Sequence, residues 1–168
     1  MTLRCEMTVD EIDVTPKKRL LGEILIDRER ITRLQLNQAL KIQKEKGGYI
    51  GEILIGFKFV DDRDIVAALV VQCNIPYIAI DRYEIDRNVL QLVPREVVCR
   101  HRVIPLDRVG DILSLVMLNP FDTFVKTHVR RHTHCKVAPF IATRREIETA
   151  IDRWYGIEPP ENDSDAHL

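Results

Sequence analysis

Apolar residues recur at helical spacing through the first half of the chain. Leu20, Leu21, Ile24 and Leu25 fall on one face of a short helix. A longer helix follows, opened by Thr32 with Gln35 three residues on, the pairing of a capping box. Its face carries Leu36, Leu40 and Gln43 at spacings of four and three. The pattern then repeats. Residues 21–43 read LGEILIDRERITRLQLNQALKIQ and residues 50–72 read IGEILIGFKFVDDRDIVAALVVQ, an ungapped offset of 29 with 8 of 23 positions identical. In the second copy Asp61 is placed to cap and Asp64 suits the positive end of the helix, while Ile65, Leu69 and Gln72 form the matching trio.

A glutamine on an apolar helix face needs a polar partner, because burying it unpaired costs about 1–3 kcal/mol. Two readings stand at this point. A neighbouring helix end within the fold satisfies it, the repeat being a helical hairpin with no ligand. Alternatively a ligand with an apolar face and a hydrogen-bonding edge, such as a nucleobase, lies on the leucine surface. Gly22 and Gly51, each 21 residues before its glutamine, would then let that ligand approach the backbone.

From Ile75 the pattern changes. Asp86 to Leu92 has helical spacing and Pro94 suits a helix start. The β-rich run from Arg102 contains Pro105, which predicts an edge or bulge. Val109-Gly110-Asp111 reads as a turn into a strand that Asn119-Pro120 ends. A helix over 121–132, a strand over 136–142 and a last helix opened by Thr143 and Glu146 complete the order. The expected fold is α+β: a helical half built from the tandem repeat (17–74), packed on a small α/β half (75–156) with a sheet of three strands or more. Residues 1–16 are expected to be a flexible N-terminal segment and residues 157–168 a disordered acidic tail.

Composition narrows the function classes. Lys+Arg (25) nearly balances Asp+Glu (26), so a general nucleic-acid footprint is not expected. No stretch nears 18 consecutive apolar residues and no signal peptide opens the chain, so a cytoplasmic protein without membrane insertion is expected. Cys5, Cys73, Cys99 and Cys135 lack CxxC spacing and are expected to be reduced, with Cys73 and Cys99 in the core. There is no GxxxxGK[ST], GxSxG or HExxH, so no phosphoryl-transfer loop or familiar hydrolase motif is present and no enzyme is expected. His128, His132, His134 and Cys135 lie within eight residues. Arg130, Arg131 and Lys136 among them disfavour a cation, and no metal site is expected.

With these motifs in view, the chain resembles the N-terminal domain of the ATPases that drive type II secretion and type IV pili, in the MshEN form that binds cyclic di-GMP. The resemblance rests on the two motifs with their 29-residue offset and continues through Asn74-Ile-Pro-Tyr, Arg82-Tyr-Glu-Ile-Asp, Val93-Pro94-Arg95, Arg102-Val-Ile-Pro-Leu and Arg153-Trp-Tyr-Gly156. It implies a cyclic di-GMP site made of Leu21, Gly22, Leu25, Leu36, Leu40 and Gln43 with Ile50, Gly51, Leu54, Ile65, Leu69 and Gln72, the glutamines reading guanine. Two departures touch the site: the family's motif arginines are replaced by Leu20 and Tyr49, and its mid-motif glycines by Glu29 and Lys58. Losing both arginines removes charge-assisted bonds of roughly 1.5–3 kcal/mol each. Lys18, Arg19 and Lys46 are partial replacements, and Tyr49 is placed to stack on a base. Arg19 and Tyr49 therefore join the expected ligand contacts. The resemblance implies a stand-alone regulatory or docking module with no required cofactor. Its expected partners are a secretion or pilus ATPase or an inner-membrane platform component, and it would reach the membrane only through them. A nucleotide sensor and a docking domain that has lost its ligand both remain open.

Overall fold

The computed structural model describes residues 19–156. The expectations for residues 1–16 and 157–168, and for Cys5 and Lys18, lie outside the described residues. Four helices form the first half: α1 (Leu21–Asp27), α2 (Arg33–Lys46), α3 (Ile50–Gly56) and α4 (Asp62–Cys73). The longer two open on reciprocal caps. Gln35 N–H donates to Thr32 Oγ1 (3.2 Å) and Thr32 N–H to Gln35 Oε1 (2.8 Å). Asp64 N–H donates to Asp61 Oδ1 (2.9 Å) and Asp61 N–H to Asp64 Oδ2 (3.3 Å).

The short helices α1 and α3 end alike. Arg30 N–H bonds Leu25 O (2.9 Å) and Glu29 N–H bonds Ile26 O (2.8 Å). One repeat later, Phe59 N–H bonds Leu54 O (3.1 Å) and Lys58 N–H bonds Ile55 O (2.8 Å). These are Schellman closures, which need a left-handed residue. Glu29 (φ 56°) and Lys58 (φ 57°) occupy it in place of glycine.

The helices exchange partners between repeats. α1 packs on α4, and α2 packs on α3. Their shared core includes Leu25, Leu54, Ala39, Ala68 and Ile75, and it takes in Ile141 from the second half.

That second half opens with a 3-10 turn (Ile80–Arg82), α5 (Arg87–Leu90) and α6 (Arg95–His101). Pro94 sits at the N-cap of α6, one position before the first helical turn. Three strands follow, β1 (Val103–Val109), β2 (Ile112–Met117) and β3 (Lys136–Ile141), with α7 (Thr123–Thr133) between β2 and β3 and α8 (Arg144–Tyr155) last. The sheet order is β1-β2-β3, antiparallel then parallel. Register slips between Pro105 and Asp107 on the edge strand β1, which is the bulge a proline there predicts. The link from α4 extends the other edge, where Ile141 N–H donates to Pro76 O (3.0 Å) and Ile78 N–H to Ile141 O (2.9 Å). α6 and α8 pack on β1 and α7 packs on β3. The core there includes Ile104, Leu113, Leu115, Met117 and Ile147. Trp154 and Tyr155 lie against this core, and Tyr155 OH donates to Leu90 O (2.9 Å). Cys73 and Cys135 are buried and Cys99 is half-buried, all as free thiols.

The halves meet where Ile141 and Phe121 pack into the helical core and Arg144 on α8 pairs with Glu52 on α3 (2.8 Å). Within the second half, Tyr77 OH donates to the Glu146 carboxylate. That last bond pushes the Tyr77 phenol up to about 12. Burial alone would raise Glu146, but hydrogen bonds from Thr143 and Tyr77 outweigh it and hold the carboxyl below its ordinary range.

A non-glycine residue in the left-handed region costs roughly 1–2 kcal/mol, part of which glycine returns as unfolded-chain entropy. Glu29→Gly and Lys58→Gly should therefore each stabilise the chain by about 0.5–1 kcal/mol in urea unfolding. A loss in both would show that the left-handed closures are unstrained. Glu146 is depressed, so the stability it contributes is present above the ordinary carboxylate pKa and is lost as pH falls through the folded value. Tyr77→Phe should cost about 1 kcal/mol at neutral pH, the scale of a half-exposed charge-assisted bond. The difference from wild type should shrink as pH falls below the ordinary carboxylate range and the Glu146 carboxylate protonates; an equal cost at neutral and acid pH would assign it to packing alone.

Candidate functional site

The exchanged helix packing encloses a cavity of about 740 Å³. Its walls follow the repeat: ten pairs of lining positions are separated by the same 29 residues. Leu21/Ile50, Ile26/Ile55, Leu36/Ile65 and Leu40/Leu69 are apolar, Glu23/Glu52 acidic, and Gly22/Gly51 and Gln43/Gln72 identical. The positions of the resemblance's missing arginines, Leu20 and Tyr49, form an exposed apolar rim.

The two glutamines are held in the same way. Gln43 Nε2 donates to Gly48 O (2.9 Å), just before α3, and Gln72 Nε2 donates to Arg19 O (3.2 Å), just before α1. Arg19 and Gly48 are themselves 29 residues apart. Spending the amide N–H on backbone fixes each side chain and leaves the carbonyl oxygen as an acceptor. Gln72 is only 6 % exposed, and its Oε1 has no hydrogen-bond partner among the described residues. A buried acceptor in that state costs about 1–3 kcal/mol unless a donor meets it.

Two adjacent positions on one helix face break the internal symmetry. Arg33 and Asn37 on α2 correspond to Asp62 and Val66 on α4. The second half explains the difference, since Leu118, Asn119, Phe121 and Arg144 close the cavity from that side. Val66 is buried, and Phe121 packs against the helical core. Burial pushes the Asp62 carboxyl above its ordinary range; Arg144 opposes this, while Glu148 and Asp61 add to it. Asn119 Oδ1 accepts from Phe121 N–H (3.0 Å), and its buried Nδ2 has no partner among the described residues. The α2 wall is open, with Arg33, Asn37 and Leu40 exposed.

Most residues singled out from sequence line this cavity: Arg19, Leu21, Gly22, Leu36, Leu40, Gln43, Tyr49, Ile50, Gly51, Ile65, Leu69 and Gln72. Leu25 and Leu54 do not. Both are fully buried in the helical core, on the face of α1 and α3 turned from the cavity lining. Gly22 also has a nearer use than approach by a ligand: a Cβ there would lie 2.5 Å from Leu36 Cδ1, so the missing side chain is what admits Leu36. At Gly51 the nearest atom is Ile65 Cγ2, at 3.3 Å.

Sequence reasoning missed Arg33, Asn37, Asp62, Val66, Asn119, Phe121 and Arg144. The first two were within reach, because they share the helical face of Leu36, Leu40 and Gln43. The histidine-rich segment lies elsewhere. His128 and His132 stack on α7 with ring centroids 4.1 Å apart, His134 takes the left-handed cap (φ 55°), and the Cys135 thiol donates to Thr133 O (3.3 Å). Among the described residues no three His, Cys, Asp or Glu side chains are grouped to hold a metal ion, and no helix is long and apolar enough to cross a membrane.

Comparison with known proteins places this architecture. The model of the MshEN domain matches residues 73–161, more than half of the chain. The chain belongs to the MshEN domain family. It is 28 % identical over 140 residues to the type IV pilus assembly ATPase PilB of Myxococcus xanthus, covering 83 % of this chain and 25 % of that protein. PilB of Thermus thermophilus is 29 % identical over 137 residues, with 80 % of this chain and 15 % of that protein covered. Bacteriophage adsorption protein B of Escherichia coli is 27 % identical over 141 residues, with 84 % and 19 % covered. The chain thus spans about a quarter or less of the length of the curated relatives it matches. Among solved structures, MshE with cyclic di-GMP superposes with a TM-score of 0.71 at 27 % identity, covering 82 % of this chain and all of that one. The N-terminal domain of XpsE shares the fold, with a TM-score of 0.70 at 22 % identity, covering 81 % and 94 %.

The two glycines of this MshEN chain are distinguishable by experiment. Alanine gains helix propensity at either, but at Gly22 it must displace Leu36, and overpacking of that kind costs about 1–3 kcal/mol. Gly22→Ala should be the less stable variant by about 1 kcal/mol or more in urea unfolding, with Gly51→Ala near wild type. Equal stabilities would mean that Leu36 swings aside freely.

Proposed function

We propose that this MshEN chain is a non-catalytic regulatory or docking module of a type II secretion or type IV pilus-like system, and that its cavity takes cyclic di-GMP. The observation that carries the reading is the paired state of the glutamines. Each amide N–H is bound to backbone, so each carbonyl oxygen is available to a donor, and in Gln72 that oxygen is buried without a partner among the described residues. The Watson–Crick edge of guanine presents N–H donors beside a flat apolar face, which suits an acceptor set in a leucine and isoleucine wall. A ligand with two guanines on a near-two-fold frame suits a cavity whose lining repeats at 29 residues. The structure of MshE with cyclic di-GMP supports the same ligand.

In this reading the ligand touches both repeats and the cover from the second half, and so fixes how the halves meet. A protein partner reads that surface. The expected partners are the ATPase or the inner-membrane platform component of such a system, and any membrane association runs through them. The residues of the cavity are proposed to bind and orient, with no bond made or broken.

One observation favours a second reading, a docking domain without a nucleotide. The cavity is lined by three arginines and four carboxylates, an unfavourable balance for a dianion, and Leu20 and Tyr49 stand at the motif arginine positions.

Calorimetric titration with cyclic di-GMP, with GTP and cyclic di-AMP as controls, separates the two. The sensor reading predicts low-micromolar or tighter binding of cyclic di-GMP. Gln72→Ala should weaken it at least tenfold, the scale of one buried hydrogen bond. Leu20→Arg with Tyr49→Arg should strengthen it. No heat and no thermal stabilisation at millimolar ligand would leave the docking reading.

A further inference from the structure

The reading of the cavity as a guanine-nucleotide site leaves open where the phosphate charge goes. Three arginines line it. Arg19 pairs with Asp27, and Arg144 pairs with Glu52 (2.8 Å) and lies 3.9 Å from Glu148. Arg33 has no carboxylate within ion-pair distance among the described residues. It stands one helical turn before Asn37 on the open wall of α2. The position 29 residues on, its mate across the internal two-fold, is Asp62. Among the described residues the cavity therefore offers one uncommitted cation, and a carboxylate where symmetry would call for the second.

We infer that the site is polarised: Arg33 is its single anion position, and a guanine nucleotide lies with one phosphodiester on the α2 wall and a base against the covered α4 wall at Gln72. A planar guanidinium matches two phosphate oxygens at once, whereas a carboxylate in the matching place repels them. The buried acceptor of Gln72 and the exposed donor fork of Arg33 are then two halves of one recognition pattern, for a neutral base edge and a charged phosphodiester. A two-fold symmetric dianion binds with its two ends in different surroundings. Asp62 sets a limit on affinity that the loss of the motif arginines does not by itself explain.

The test is calorimetric titration of the full chain with cyclic di-GMP at low and high salt, on wild type, Arg33→Ala, Arg33→Lys, Asp62→Asn and Gln72→Ala. Arg33→Ala should weaken binding at least fivefold and flatten its salt dependence, because the contact it removes is the one that salt screens. Arg33→Lys should recover part of the loss, keeping the charge but not the fork. Asp62→Asn should strengthen binding severalfold by removing the opposing charge. If Gln72→Ala weakens binding while Arg33→Ala loses less than fivefold, or if Asp62→Asn gains nothing, the polarised arrangement is wrong and the guanine-site reading survives. If wild type binds neither cyclic di-GMP nor GTP at millimolar concentration, both fall together.

Discussion

The exchange of partners between the two repeats is the constraint on which the rest of this structure depends. Helices α1 and α3 have seven residues each, far below the length at which a helix persists alone. Each is held because its apolar face meets the long helix of the other repeat, α1 on α4 and α3 on α2. Within each repeat the short helix also makes room for its own long helix: Gly22 gives up its side chain so that Leu36 can enter, and Gly51 leaves a smaller space for Ile65. The same exchange brings each glutamine to the start of a short helix, where a free backbone carbonyl accepts its amide N–H. The cavity is thus a product of how the repeats lock together, and its near-two-fold lining is a consequence of that lock.

The second half of the chain breaks this symmetry. It docks against the second repeat through Ile141, Phe121 and Arg144, where α4 presents Val66 and Asp62. The equivalent positions on α2 are Asn37 and Arg33, polar residues that no apolar element covers. One wall of the cavity is therefore buried and the other open. The difference reaches the glutamines: Gln72 is buried with an unpartnered oxygen, while Gln43 is only half-buried. The sequence change that positions the cover thus also changes the electrostatics of the cavity, at Asp62 and Arg144.

The ordering of elements was largely legible in the sequence because local signals agreed with the final packing. Thr32 with Gln35 and Thr143 with Glu146 form the expected caps, Pro105 marks a real bulge, and Gly110 turns the hairpin at φ 61°. The internal repeat pointed to most of the cavity wall, since an offset of 29 relates its two sides. It could not separate Leu25 and Leu54 from Leu21 and Ile50. Leu21 and Leu25 are apolar residues of one short helix, Ile50 and Leu54 of the other, and only the packing of each helix decides which face the core takes. Nor could periodicity reveal Asn119, Phe121 or Arg144, which reach the cavity through tertiary contacts from far along the chain. The left-handed turns at Glu29 and Lys58 show the reverse case. Their side chains disguise a backbone conformation that the surrounding hydrogen bonds enforce.

In the proposed function, the unpartnered oxygen of Gln72 and its mate on Gln43 meet a guanine-bearing ligand inside the repeat. Heteronuclear NMR of the glutamine side-chain amides during titration with cyclic di-GMP reads that contact. Saturable shifts of both the Gln43 and Gln72 side-chain amide signals are expected, larger at buried Gln72, with the N–H groups still protected by their backbone partners. A titration that moves only surface signals and leaves both glutamine side chains unchanged would contradict it.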